Sequence, residues 1–196
     1  MSDKNRDGEG LLKRHGLPDD LKFLLNRFPR SEWVGHTNLE GMASFWLQRH
    51  DMFRELGVML TNAIVEYREG RTTPQEFAQF FAPRLNFFLS NLDGHHRIED
   101  DVYFPAFVHA ESRLKHGFDI LDADHHLIHE ALVQNAETAN AFLQTLDGAI
   151  DRQRFAADAY GSANERLIHM LARHLDDEED LIIPLILDRG DSMFEG

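Results

Sequence analysis

Two related stretches of sequence decide the fold: HHRIEDDVYFP at residues 95–105 and HLDDEEDLIIP at residues 174–184. Each begins with a histidine, has a glutamate four residues later and ends with a proline ten residues after the histidine. Corresponding residues are therefore 79 positions apart. The residues around His50 and His125 form a second matching pair, 75 positions apart. The sequence thus contains two copies of one unit.

The pattern of apolar residues predicts helices almost throughout, because these residues recur every three or four positions and strand-like alternation is absent. Long helices with short connections favour an antiparallel, up-down four-helix bundle, which is an all-α fold. The repeat then predicts two helical hairpins related by approximate two-fold symmetry. We expect a short helix over residues 17–28 and long helices over residues 38–69, 73–114, 119–146 and 149–188. The second long helix is expected to bend near Pro83 and Pro105 and to be ended by Gly117, and the fourth is expected to bend at Pro184.

The composition excludes several kinds of chemistry. The chain has 196 residues, including 12 histidines and no cysteine, and a formal net charge of −14. Without cysteine it has no disulfide, iron–sulfur cluster, c-type haem attachment or thiolate zinc site, so nitrogen and oxygen must hold any metal. The negative charge opposes nucleic-acid binding. Apolar runs are shorter than the roughly 20 residues of a membrane-spanning helix, so we expect no membrane partner.

We expect two parts in the chain. Residues 38–190 form the predicted bundle, and residues 1–37 form an N-terminal extension that is partly disordered and contains the short helix. The first ten residues carry three acidic and two basic residues and no apolar core, unlike a secretory signal. We therefore expect a disordered tail on a soluble, cytoplasmic protein. The oligomeric state is left open.

The histidines and glutamates have the spacing of metal ligands. Residues four apart on a helix lie one turn apart on the same face. Three His-x-x-x-His or His-x-x-x-Glu pairs occur, and His50 supplies one more histidine on the remaining helix. The neighbouring His96 and His126 are rotated by about 100° and are expected to point away. The predicted metal ligands are His50, His95, Glu99, His125, His129, His174 and Glu178.

Five imidazoles and two carboxylates without a thiolate suit iron, manganese or zinc. If both carboxylates and an oxo or hydroxo group bridge two octahedral metals, this set leaves a single coordination position vacant. A small diatomic molecule such as O2, or an anion, could occupy that position. Little room remains for a substrate to chelate both metals, which argues against two-metal hydrolysis.

These motifs, together with RHDMFR at residues 49–54 and ADHHLIH at residues 123–129, resemble a hemerythrin-like (HHE cation-binding) domain over about residues 38–190. The resemblance implies a four-helix bundle holding a non-haem pair of iron ions bridged by an oxo or hydroxo group. It also implies a role in O2 binding, O2 or redox sensing, iron sensing or responses to nitric oxide. The five-histidine, two-carboxylate set of the family corresponds to the seven residues named above.

Two features depart from the family pattern. In the oxygen-carrying members the carboxylate of the last helix stands five residues after its histidine, which would select Glu179. The repeat instead favours Glu178, because it corresponds to Glu99. Members that repair iron centres can carry a cysteine-containing N-terminal segment, and residues 1–37 contain no cysteine.

The sequence therefore predicts a non-haem di-iron protein that binds or senses O2 or redox state. The alternatives are a di-iron oxidoreductase acting on O2, peroxide or nitric oxide, and an iron-sensing or storage protein. No catalytic acid or base lies on the predicted ligand face apart from the ligands, which favours binding over turnover. Trp46 and Tyr103 stand one turn from His50 and Glu99 and are expected to line the pocket for a diatomic ligand, O2 or NO. The Glu-x-x-His pattern of ferritin-type oxidases is missing.

Overall fold

The computed structural model describes residues 10–191, which form helices joined by short turns, without a strand in that range. The prediction of an all-α four-helix bundle is confirmed, and four long helices pack around one another. In chain order the helices are α1 (Phe23–Arg27), α2 (Met42–Arg68), α3 (Pro74–Ile98), α4 (Phe104–Ala110), α5 (Lys115–Leu143) and α6 (Ile150–Arg189), with a π-helical turn at Glu99–Tyr103 between α3 and α4. Short 3-10 turns lie at Asp19–Leu21, Arg30–Glu32, Thr37–Leu39 and Ser112–Leu114.

The start of α3 follows from its sequence. The Thr73 side chain accepts a hydrogen bond from the backbone N–H of Glu76, and the Glu76 carboxylate accepts one from the backbone N–H of Thr73. This capping box satisfies two backbone donors that have no partner within the helix. Pro74 occupies the first turn, where its missing N–H is not needed.

The second long helix is predicted to reach residue 114 with a bend near Pro105, but it ends at Ala110, and its predicted end at Gly117 is wrong. The backbone passes through the π-helical turn, in which the Phe104 N–H donates to the Glu99 carbonyl, and α4 ends at Ala110. Gly117 lies inside α5, where an added Cβ would stand 2.9 Å from a methyl carbon of Leu181 on α6. This glycine therefore allows two helices to approach closely and does not end one.

The apolar core has two parts with a polar layer between them. One cluster includes Phe53, Leu92 and Ile128, and the other includes Trp46 and Leu121. Along each long helix the histidines and glutamates of the repeat fall between these two clusters. The layer is thus held on both sides by buried apolar side chains, which keep water away from it.

The N-terminal segment packs against the bundle. Leu17, Leu21, Leu24 and Trp33 are buried in the cluster that contains Trp46. The predicted disordered tail falls on residues outside the described range, apart from Gly10, and the domain boundary at residue 37 stays a prediction. Within residues 10–191 no helix combines the length and apolar character needed to cross a membrane.

Candidate metal centre

Six of the seven predicted ligands meet in the polar layer. Five of these side chains are buried, and His95 is the most accessible, with 10% of its side chain exposed. One group of potential donor atoms, all within 4.8 Å of one another, comes from His50, His95, Glu99 and Glu178; His96, His125 and His174 form a second such group.

Short distances connect the two groups. Oε1 of Glu99 lies 2.9 Å from Nε2 of His95, and its Oε2 lies 3.5 Å from Nε2 of His125. Oε2 of Glu178 lies 3.3 Å from Nε2 of His174 and 3.6 Å from Nε2 of His50. Each glutamate therefore stands between histidines of two different helices, as a bridging carboxylate requires.

Several of these atoms lack a hydrogen-bond partner among the described residues. They are Nε2 of His50, His95 and His96, Nδ1 of His174, both carboxylate oxygens of Glu99, and Oε2 of Glu178. The 2.9 Å contact between Glu99 and His95 does not have the geometry of a hydrogen bond. A buried polar atom without a partner costs stability, and a carboxylate costs more than a neutral group. Nitrogen and oxygen atoms that converge unpaired in a protein interior fit a metal ion of the iron, manganese or zinc class.

The pKa values of the groups in the polar layer also fit a metal site. Burial and the nearby Glu178 carboxylate raise the pKa of Glu99 well above its ordinary value. Burial also acts on Glu178, but the surrounding histidines, His50 first, outweigh it and hold its pKa below the ordinary value. Burial lowers the pKa of His95 to about 3, so its imidazole is neutral and has a lone pair to offer a metal.

A second set of carboxylates orients the imidazoles. The Nδ1–H of His125 donates to Asp100 over 2.7 Å, and the Nδ1–H of His50 donates to Glu179 over 3.0 Å. Asp100 and Glu179 directly follow the two inward-facing glutamates, so the repeat extends to this second set. A carboxylate on Nδ1 fixes the ring tautomer and leaves Nε2 directed at the centre.

The structure distinguishes Glu178 from Glu179. Glu178 faces the cluster, whereas Glu179 faces away from it and pairs with Arg54 at 2.7 Å and Arg30 at 2.8 Å. The hydrogen bond from His50 and the pairing with Arg54 hold the pKa of Glu179 at about 2, despite its burial. The repeat-based preference for Glu178 agrees with this placement.

His129 does not join the other predicted ligands. Its side chain is 58% exposed, and its Nδ1 lies 3.1 Å from Oδ1 of Asp93. On α5 the buried residues Leu121 and Ile128 mark the side of the helix that faces the core. About the helix axis, His129 is rotated by about 100° from Ile128, whereas His125 is rotated from it by only about 60°. Spacing of four residues places two side chains on one face but does not say which of them faces the core.

The expectation that His96 points away is wrong. His96 is buried, and its ring stacks on that of His125 with a centroid distance of 4.0 Å. The buried line through Leu92 and Glu99 passes between His95 and His96, so both rings flank the interior. The seven-residue spacing of Leu92 and Glu99 could have indicated from the sequence that His96 also faces the interior. His126 is exposed, as predicted.

The two predicted pocket residues lie beside the centre. Trp46 is buried, and its indole Nε1–H donates to Oε1 of Glu178 over 2.8 Å. The ring of the half-buried Tyr103 packs edge-on against Trp46, with centroids 5.1 Å apart. Both side chains line a surface groove of about 320 Å³ that also reaches His95.

Comparison with known proteins gives one match. The family model for the Hemerythrin HHE cation binding domain matches residues 41–186, which includes all the residues of the polar layer. Neither the curated proteins nor the solved structures compared with the chain gave a match.

Proposed function

Because the chain belongs to the hemerythrin HHE cation-binding domain family, we propose that it is a non-haem di-iron protein that binds or senses O2 or redox state. The observation that carries the proposal is the layer of converging, unpaired nitrogen and oxygen atoms between the two apolar clusters. The proposed ligands are His50, His95, Glu99, His125, His174 and Glu178.

This set differs from the sequence-based one by the loss of His129. Four histidines with two bridging carboxylates and an oxo or hydroxo bridge leave two octahedral positions vacant, where the seven-residue set left one. His96 has no histidine counterpart in the other repeat, but its unpaired Nε2 belongs to the same donor group as His125 and His174, so it would be a candidate for one of these positions. The iron pair would supply reversible binding of a diatomic ligand, O2 or NO, and one-electron chemistry.

The chain's own residues prepare the centre for this role. Trp46 holds one oxygen of Glu178, and Asp100 and Glu179 hold the outer nitrogens of two histidines. The apolar clusters on either side exclude water and protons from the centre, which would protect a diatomic ligand held there from side reactions. The alternatives are a di-iron oxidoreductase acting on O2, peroxide or nitric oxide, and an iron-sensing or storage protein.

The test is anaerobic reconstitution with ferrous iron, followed by exposure to air. Two irons per chain and a visible band that forms in air and disappears under argon support reversible binding. Immediate conversion to a ferric form with consumption or release of peroxide supports the oxidoreductase instead. A chain that fails to take up two irons contradicts the whole proposal.

Two variants on one helix provide a matched comparison. His125→Ala removes a proposed ligand and should lose iron, whereas His129→Ala, one turn further along α5, should keep two irons per chain. Loss of iron in His129→Ala would restore the seven-residue set.

A further inference from the structure

The two-fold repeat predicts two equivalent sides for the centre, but in the structure one side is open and the other is filled. On one side, between α2 and α3, lies the groove of about 320 Å³. We call it the access groove; Trp46, Arg49, Gly94, His95 and Ile98 are among its lining residues. It reaches the most exposed of the proposed ligands, His95.

The equivalent side, between α5 and α6, is filled by a residue of the N-terminal segment. Nε of Arg14 donates to Asp177 over 2.7 Å, and its guanidinium also forms a hydrogen-bonded pair with Asp124. Both carboxylates are buried, and Arg173 pairs with Asp177 as well. Asp124 also lies 3.5 Å from Nδ1 of His174, so Arg14 stands directly behind the ligand layer.

The sequence explains why one side is filled and the other is open. The acids that hold Arg14 have no counterparts in the access groove, where an arginine and an isoleucine stand in their places. Position by position, Asp124, Arg173 and Asp177 of the filled side correspond to Arg49, Gly94 and Ile98 of the access groove. Arg14 lies before residue 41, outside the part of the chain that matches the family.

We propose that small ligands reach the metal centre through the access groove and that Arg14 seals the equivalent side. The inference rests on the proposed function for the identity of the centre. The ligands that fit are diatomic molecules and small monoanions. Arg49, which packs over the Phe45 ring at 5.4 Å, places a positive charge at the groove and favours anions in a protein of net charge −14.

Gly94 allows the groove to be closed without disturbing the helix. A Cβ added there meets no heavy atom within 4 Å, so Gly94→Leu places its side chain in open space within the groove. Gly161→Leu is the matched control: it changes a glycine of α6 whose added Cβ also has no contact closer than 3.8 Å. That glycine lines a different groove, away from the centre.

The first measurement uses the metal-free protein, so it does not depend on the proposed iron chemistry. Histidines are labelled with diethyl pyrocarbonate, and the modified peptides are quantified by mass spectrometry. Gly94→Leu should slow labelling of His95 by about tenfold or more while leaving the exposed His129 unchanged. Arg14→Ala should instead increase labelling of His174. Unchanged labelling of His95 in Gly94→Leu contradicts the proposal, whatever the protein does with iron.

The second measurement uses the iron-loaded protein with azide as a small anionic probe. Gly94→Leu should keep two irons per chain and bind azide about tenfold more slowly or worse, and Gly161→Leu should bind it at the unmodified rate. Equal azide rates in all three proteins would overturn the proposal. A chain that binds no iron contradicts the proposed function. The histidine labelling would still test whether small molecules reach the centre through the access groove.

Discussion

Glu99→Gln should stabilise the metal-free protein and abolish iron binding. Glu99 is fully buried, and neither of its carboxylate oxygens has a hydrogen-bond partner among the described residues. Glutamine has nearly the same shape but cannot ionise, so it removes the unpaired acid without leaving a cavity. It also replaces one of the two proposed bridging carboxylates with a weaker ligand. A structural residue would not give opposite effects on stability and on binding.

The magnitude follows from proton linkage, because a glutamine amide is as unpaired as the carboxyl group but cannot ionise. Each pH unit above the ordinary pKa over which folded Glu99 keeps its proton costs the unmodified protein about 1.4 kcal/mol, and glutamine carries no such cost. We therefore expect the free energy of unfolding of metal-free Glu99→Gln to exceed that of the unmodified protein by about 1–3 kcal/mol at neutral pH. The variant should bind fewer than two irons per chain.

The gain in the free energy of unfolding of Glu99→Gln should depend on pH. Because burial and Glu178 raise the folded-state pKa of Glu99, the folded state holds a proton that the unfolded state releases. The stabilisation associated with that proton is complete below the ordinary pKa near 4.5 and is lost as the pH rises. The advantage of Glu99→Gln should thus be small near pH 4.5 and grow toward neutral pH.

The assay is urea unfolding followed by far-ultraviolet circular dichroism, with a chelator present, between about pH 5 and pH 8. Glu111→Gln is the control of opposite sign, because hydrogen bonds from Arg113, and also from Arg189, lower the pKa of Glu111 to about 2. That variant should be less stable than the unmodified protein at neutral pH. If Glu99→Gln lowers stability as Glu111→Gln does, or still binds two irons, the assignment of Glu99 is wrong.

Three further predictions test the surroundings of the centre. Glu179→Gln weakens the contact that orients His50, so iron affinity should fall by about 10–100-fold in a chelator competition while the fold is kept. Gly117→Ala brings a Cβ within 2.9 Å of a methyl carbon of Leu181, at an overpacking cost of about 1–3 kcal/mol, of which the better helix propensity of alanine returns about 1 kcal/mol. The free energy of unfolding, measured by urea unfolding, should therefore fall by up to about 2 kcal/mol, and a more stable variant would mean that Leu181 moves aside at no cost. Because burial lowers the pKa of His95 to about 3, the unfolded state takes up a proton there that the folded state does not, so His95 should contribute a loss of about 2 kcal/mol in the free energy of unfolding between pH 7 and pH 5. Glu99 contributes with the opposite sign in this range, so the measured quantity is the difference between two metal-free proteins: His95→Gln should lose about 2 kcal/mol less than the unmodified protein, and an equal loss in both would refute the burial of a neutral imidazole at this position.

The sequence was sufficient for the helices and the repeat because both depend on local spacing. The apolar period predicted the bundle, and the Thr73-Pro74 start of α3 was encoded in a capping box. The sequence predicted a bend near Pro105 but not the π-helical turn just before it, because a proline shows where the helix is weakened but not how the backbone adapts.

By itself the sequence determined the all-α bundle and most of the histidines and glutamates that could meet in it. Only the tertiary structure decided that His96 faces the interior and His129 does not, because the rotation of each helix about its axis is set by packing against the others. The same holds for Arg14, which contacts Asp124 across 110 positions of the chain. Local periodicity fixes the direction of a side chain relative to its own helix, whereas burial and charge pairing with distant residues fix what it faces.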